Sequence, residues 1–437
     1  MNKLIILLAI LCPAIMQAQT LEEKYDLALV ENATDNPNVK VYKDLRYNRL
    51  FTRSRGWNGG DGVQTVKLPN GDVFWTFNDS FYGVVNDRRS RGNCSFPRNS
   101  IMVQKSHKGI LGETDKDLVW LAEYVDWTDP KSDNYFKART HLRHPRAALT
   151  DAEIKAGKID QDYLYWAGDM TVQNGKLQVY WNAVDKNMKG IGTAVATYSL
   201  KGKEPKGYYL PDIPDYKPQK GDYLYMESVQ HDIKTNPWAF GNTLLEGDDG
   251  HIYLYHSVNN FTTVVARTTK MDLKSQLQYY INNGGQWTWQ DSTPTREQLA
   301  ASNIITDKKH HDVSMPWVFK RDGWYYMTAQ GAYFSHDIYI FRSKAPYGPF
   351  GDGRLLFTLP GKLDKLGDNT SFRYYMINLH TALSRDGELV FSTNSENTID
   401  FWHNFNDEGS ADWYRPYFYR VYNWEAVYTP HTLPINE

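Results

Sequence analysis

The chain has 437 residues, with 49 Lys and Arg against 51 Asp and Glu, a formal charge of −2 at pH 7. A balance so close to neutral, with no basic run, excludes nucleic acid and anionic membrane surfaces as partner classes. Aromatic residues make up 14% of the chain (14 Trp, 31 Tyr and 18 Phe); they favour strands and offer flat apolar faces with a polar edge, which suit sugar rings.

Residues 1–19 read as a signal peptide. Met1-Asn2-Lys3 is a short positive start, residues 4–15 are an apolar run too short to span a bilayer, and Ala18-Gln19 leads into charged sequence. The expected location is periplasmic or secreted. Cys12 follows Leu11 where a lipobox takes a small residue, so a free rather than lipidated protein is expected. No later stretch is long and apolar enough to span a membrane. Cys94 is then the only thiol, which leaves no disulfide framework and makes core packing carry the fold. Residues 20–56 read as an N-terminal lead-in, with a short helix within 21–30 and a strand or irregular stretch over 44–53.

The next stretch, WNGGDGVQTVKLPNGDVFWTFNDSFYG (57–83), contains two strand-like runs, 63–68 and 73–77, around Pro69-Asn70-Gly71. Asn-Gly between hydrophobic runs is a strong hairpin signal because both positions tolerate positive φ. Folding this hairpin brings Asp61 and Asp79 together at its open end. The same unit of strand, Asn/Asp-Gly turn and strand recurs around Gly175, Gly250, Gly323 and Gly387. Third strands follow at 100–104, 192–200, 262–269, 337–343 and 417–422. Five such units predict an all-β fold, a five-bladed β-propeller with a central funnel, forming one catalytic domain over 57–437. A long insertion over about 106–160 and a smaller one before the fourth unit are expected at one rim, with short helices near 151–158 and 294–302.

In a propeller the first strand of each blade lines the channel, so residues at the mouth ends of those strands converge. Asp61 and Asp79 are the expected catalytic pair: one carboxyl group holds a proton for the leaving oxygen, and the other is ionised to activate water or attack carbon. A three-residue turn with a bulge would put both on one face. Asp169 is the matching acid of the second repeat, with Trp166 beside it as a stacking platform. His311 and Asp312 open the fourth repeat. The fifth offers Asn378, His380 and Asn394, suited to sugar hydroxyls because Asn and His both donate and accept, together with Glu396. No ligand spacing for a catalytic metal is present, and no cofactor is expected, although a structural cation is compatible with the composition.

These motifs resemble a family. The WNGGDG…LPNGDVFWTFNDSF run is similar to the first blade of secreted bacterial five-bladed propellers that include the endo-D-arabinanases. Their pattern places a DG-containing strand before W-x-F-G-D-[TS]-F; here Trp75, Phe77, Asp79, Ser80 and Phe81 match, and Asn78 stands at the glycine. The YWAGDM run resembles the W-P-G-D of the second blade, with Ala167 for proline, and the fifth repeat with Tyr414-Arg415-Pro416 resembles the closing blade. The resemblance implies glycoside hydrolysis by inward-facing aspartates, carried over to Asp61 and Asp79, on a carbohydrate of arabinofuranosyl or related type. A glycan-binding propeller without catalysis is the alternative. A monomer is expected.

Overall fold

The computed structural model describes residues 19–429 apart from 147–149, 151, 154, 155, 157, 159–162, 200–208, 211–224, 233–239, 259, 260, 333, 362–371, 398 and 399. The leader lies, but for residue 19, outside the described residues, as does half of the helix expected over 151–158.

Five antiparallel sheets of four or five strands form the blades. From the axis outward, the first blade runs Gln64–Lys67, Val73–Phe77, Ser100–Gln104, Leu118–Glu123 and Tyr209–Leu210. The second runs Tyr163–Gln173, Lys176–Asp185, Gly190–Ser199 and Tyr225–Asp232. The third starts at Thr243–Glu246 and the fourth at Val313–Arg321. Four of the expected strands, 100–104, 262–268, 337–343 and 417–422, appear with the same or nearly the same bounds. Leu118–Glu123, read from sequence as insertion, is the fourth strand of the first blade, so the insertion proper begins after it.

The fifth blade corrects the reading of the N-terminus. Its order is Phe372–Leu379, Leu389–Asn397, Tyr417–Tyr422, Lys40–Asp44 and Leu27–Leu29. Residues 27–44 therefore do not lead into the propeller; they complete its last blade, with Val41 opposite Val421 and Tyr42 opposite Arg420. The stretch 45–50 is a helix, not a strand, because Asp44 caps it by accepting from the Tyr47 amide at 2.9 Å.

Alternation along the strands accounts for the core. In Val73–Phe77, Phe74 points with Ile101 and Val103 toward the second blade, while Val73, Trp75 and Phe77 point toward the fifth. The four apolar residues of this strand are all buried, each worth about 1.5–3 kcal/mol. Every gap between neighbouring blades holds one such cluster.

Around the axis, polar contacts join each blade to the next. The Ala167 amide donates to Asn78 Oδ1 (2.6 Å), linking the first blade to the second. The Leu244 amide donates to Asp169 Oδ2 (2.8 Å), linking the second to the third. Thr243 Oγ1 donates to the Pro316 carbonyl, and Trp317 Nε1 to the Ile377 carbonyl (2.9 Å). Thr65 Oγ1 meets His380 Nδ1 (3.0 Å), which joins the fifth blade to the first. Inner-strand bulges at 167–170, 314–317 and 375–378 turn the backbone toward the neighbouring blade.

Candidate active site

The first hairpin closes as a three-residue loop: the Leu68 amide donates to the Asp72 carbonyl (2.8 Å), and Gly71 takes φ +90°. The ladder pairs Gln64 with Thr76 and Lys67 with Val73. Continued upward, this register sets Asp61 against Asp79. The Asp61 amide donates to the Asp79 carbonyl (3.1 Å), and the Asn78 amide donates to the Asp61 carbonyl (2.8 Å). Gly62 makes the bulge feasible: it has φ +56°, and a Cβ there would lie 1.9 Å from Asn78 Nδ2.

The two carboxyl groups are both buried but face different company. Asp79 Oδ1 is 2.9 Å from Arg98 Nε and accepts from Trp166 Nε1 at 3.0 Å. Burial raises its pKa, against the pull of the Arg98 guanidinium and the indole N–H. Asp61 has no cation paired with it among the described residues. Its Oδ2 accepts from the hydroxyls of Tyr375 and Tyr414, each at 2.9 Å. Its Oδ1 is buried with no hydrogen-bond partner among the described residues. Burial first, then the charge of Asp79, push its pKa up to about 8. Burial also raises both phenols well above their ordinary range, so they stay protonated and donate. Asp79 is thus the group that ionises first, and Asp61 the one that keeps its proton at neutral pH.

Surrounding residues hold this arrangement. Asn78 binds the Ala167 amide next to Trp166, so the residue that replaces the family's glycine fixes the indole that reaches Asp79. Asn394 donates to the Tyr375 hydroxyl at 2.7 Å. Tyr414 is placed by Arg91, a fully buried cation whose guanidinium donates to the Asn58, Ser410 and Trp413 carbonyls; the Gly60 amide in turn donates to the Tyr414 carbonyl at 2.8 Å. Glu396, paired with Arg373, adds a third negative charge that raises the pKa of both aspartates.

Of the residues expected from sequence, the fold brings Asp61, Asp79 and Trp166 into contact, with Asn394 one bond behind. It places Asp169 and His380 elsewhere. Both Asp169 oxygens accept backbone amides, from Met170 and Leu244 (2.9 and 2.8 Å), and His380 uses both ring nitrogens, on Thr65 and Ser392, in a core where burial lowers its pKa to about 3. Their hydrogen bonds make them links between and within blades. Asn378 is buried and donates to the Met376 carbonyl, holding a bulge. His311 and Asp312 are exposed, 3.1 Å from one another, and neither bonds a residue of the aspartate pit among the described residues. Arg98 and Tyr375 carry no signal in the sequence reading, and Tyr414 enters it only as part of the closing-blade run, with no role at the site. Among the described residues, no cluster of three His, Cys, Asp or Glu side chains could hold a metal ion, and no helix is long and apolar enough to cross a membrane.

The two tyrosines supply a test. Their hydrogen bonds favour the ionised form of Asp61, so Tyr414→Phe raises the Asp61 pKa further. The basic limb of the kcat/KM–pH profile then moves to higher pH, by about half a unit or more. A limb that stays or moves down detaches it from Asp61.

Fold and site together define a five-bladed β-propeller that carries a buried, asymmetrically partnered carboxyl pair. The chain belongs to the family described as "Domain of unknown function (DUF5005)", which matches residues 44–424. A solved structure from Bacteroides ovatus ATCC 8483, described as a "putative hydrolase", is 48% identical, with 96% of this chain and 100% of that one covered and a TM-score of 0.84. The GH43_1 enzyme from Xanthomonas citri complexed with xylose is 13% identical over 86% of this chain and 92% of that one, with a TM-score of 0.39. An exo-1,5-alpha-L-arabinanase from a bovine ruminal metagenomic library is 11% identical over 83% and 92%, with a TM-score of 0.38. Likeness at those two levels bears on neither fold nor activity. No curated protein matches the chain.

Proposed function

We propose that the chain is a glycoside hydrolase acting outside the cytoplasm, with Asp61 as proton donor and Asp79 as the ionised partner. The observation that carries this reading is the difference between two opposed carboxyl groups: Asp79 has a guanidinium and an indole N–H, whereas Asp61 has only neutral phenols and one free oxygen. The free Oδ1 is the position for the proton. That proton passes to the glycosidic oxygen as the bond from that oxygen to the anomeric carbon breaks and the leaving group takes the bonding pair. Asp79 then either removes a proton from the incoming water or attacks the anomeric carbon itself.

The partly exposed Trp166 edge and the exposed Trp402, whose neighbour Phe401 packs on Tyr414 (ring centroids 5.5 Å), offer flat faces for sugar rings. The relative from Bacteroides ovatus, described as a hydrolase in name only, agrees with this class. An arabinofuranosyl substrate follows from the motif resemblance and is the first to try.

The test is release of reducing ends from arabinans, xylans and fructans by the purified protein, with Asp61→Asn and Asp79→Asn checked for native circular dichroism. Wild type releases ends on at least one substrate, and each variant loses about 10²-fold or more. Binding without release across the panel would make the protein a glycan-binding propeller instead.

A further inference from the structure

We infer that the face opposite the aspartate pit carries a second binding site, for an anionic group borne on a saccharide. A cleft of about 750 Å³ opens there, within the range of small-ligand sites. Its walls come from the closed end of the first hairpin at Gly71, the turn of the fifth blade at Ala382–Arg385, and Lys24, Tyr25 and Arg46 from the N-terminal segment. Asp61 and Asp79 lie at the other end of that hairpin, roughly 25 Å away at about 3.3 Å per residue.

The lining is cationic in a chain that is slightly acidic overall. Lys24, Arg46, Lys67 and Arg385 face it, against one lining carboxylate, Glu113. Glu113 is shared by Arg46 (2.6 Å) and Arg385 (2.5 Å), so it neutralises the equivalent of one of them. Two further acids stand behind the lining: Asp386, bonded to the Tyr25 hydroxyl at 2.8 Å, and Glu388, which accepts from the Arg385 amide at 3.1 Å and is paired with Arg420. Lys67 is exposed and forms no ion pair among the described residues. A concave surface with excess positive charge concentrates anions.

An independent feature points the same way. Arg385 Nη1 is buried and finds no acceptor among the described residues, although a buried donor normally has one. A carboxylate or sulfate held in the cleft by the two lysines supplies it once the guanidinium turns from the Tyr25 ring, over which it lies at 4.3 Å. The lip formed by Leu111 and Ile110, the latter 76% exposed, gives an apolar wall for a ring; the Tyr25 ring already lies under Lys24 and Arg385 and holds those cations at the cleft. That the carrier is a sugar rests on the glycosidase reading; that an anion binds does not.

Titration calorimetry on the full chain tests this with digalacturonate, a sulfated disaccharide, cellobiose and inorganic phosphate. At least one acidic disaccharide binds, more weakly as salt rises. The double variant Lys24→Glu/Lys67→Glu, which alters only exposed side chains, loses at least tenfold in affinity, whereas Asp61→Asn binds as wild type does. Cellobiose gives no signal sensitive to the lysine variant. The site is refuted if no acidic probe binds, if charge reversal leaves affinity unchanged, or if Asp61→Asn abolishes binding, since the probe then sits in the pit. Phosphate binding as tightly as the disaccharides refutes the saccharide carrier. Binding that persists while no polysaccharide is cleaved overturns the glycosidase reading and leaves the anion site standing.

Discussion

Asp61→Asn is expected to remain folded, to lose about 10²–10⁴-fold in glycoside cleavage, and to show a flatter decline of stability with pH than the parent. The loss of rate follows from removing the only proton at the site's free oxygen. The stability effect follows from linkage. In the native state the Asp61 pKa is about 8, raised by burial and then by Asp79; in the unfolded chain it is about 4. Between those values the native state holds a proton that the unfolded state has released, so stability falls as pH rises, by at most about 1.4 kcal/mol per unit. Asn cannot ionise and contributes no such slope. Its amide oxygen still accepts from Tyr375 and Tyr414, while its nitrogen takes the place of the unpartnered Oδ1, at a cost of about 1–3 kcal/mol that does not vary with pH. The slope between pH 5 and 8 is therefore the measurement, read by denaturant titration at several pH values. Parallel curves for parent and variant would mean that Asp61 is ionised in the native protein, and an active variant would remove it from the chemistry.

The part of this site that was legible in the sequence is the part written locally. Asn70-Gly71 announces the hairpin, and the spacing from the turn to each acid fixes their opposition once the loop is known to hold three residues. Tyr375 and Tyr414 reach Asp61 from more than 300 positions away; no short-range pattern marks Tyr375, and the Tyr414-Arg415-Pro416 run does not say which side chain its tyrosine meets. Arg98 sits in an arginine-rich stretch with nothing local to separate it from its neighbours; Thr140, in the insertion, holds its amide at 3.0 Å. Asp169 and His380 were misread for a physical reason. A propeller repeats a polar residue at matching points of successive blades because each blade must be tied to the next around the axis, and in sequence that repetition looks the same as a converging set of ligands. The partners decide between the two: both Asp169 oxygens are taken by backbone amides, whereas Asp61 keeps an unbonded oxygen, and those partners are set only by the closed ring. The N-terminal strands were missed likewise: Lys40–Asp44 is short, and its partner lies almost 400 residues on.

That closure is where the largest effect on stability is expected. The Arg420 side chain is fully buried between Asp44 on the N-terminal strand and Glu388 on the fifth-blade hairpin, both also fully buried. Asp44 additionally caps the helix that follows it, and Glu388 accepts from the Arg385 and Asp386 amides. Asp44→Ala leaves the guanidinium short of one of its two counter-charges in a site with no water access, a loss of about 3–5 kcal/mol, and removes a cap worth about 1 kcal/mol more. Asp44→Asn keeps the cap through its amide oxygen but turns its nitrogen, which cannot accept, toward Arg420 Nε; it loses the ion pair and its hydrogen bond as Ala does, so what Asn retains over Ala is the cap. Both should melt well below the parent, by about 10 °C in the Ala case. Because the strand that Asp44 anchors is sheet partner to Tyr417–Tyr422, which pairs with the strand carrying Asn394, loosening it reaches the tyrosine on Asp61. Activity of Asp44→Ala is therefore expected to fall at temperatures below its own melting point, before the global transition begins. A variant within 1 kcal/mol of the parent, with activity and melting lost together, would mean that the ring is held by its apolar interfaces and not by this buried ion cluster.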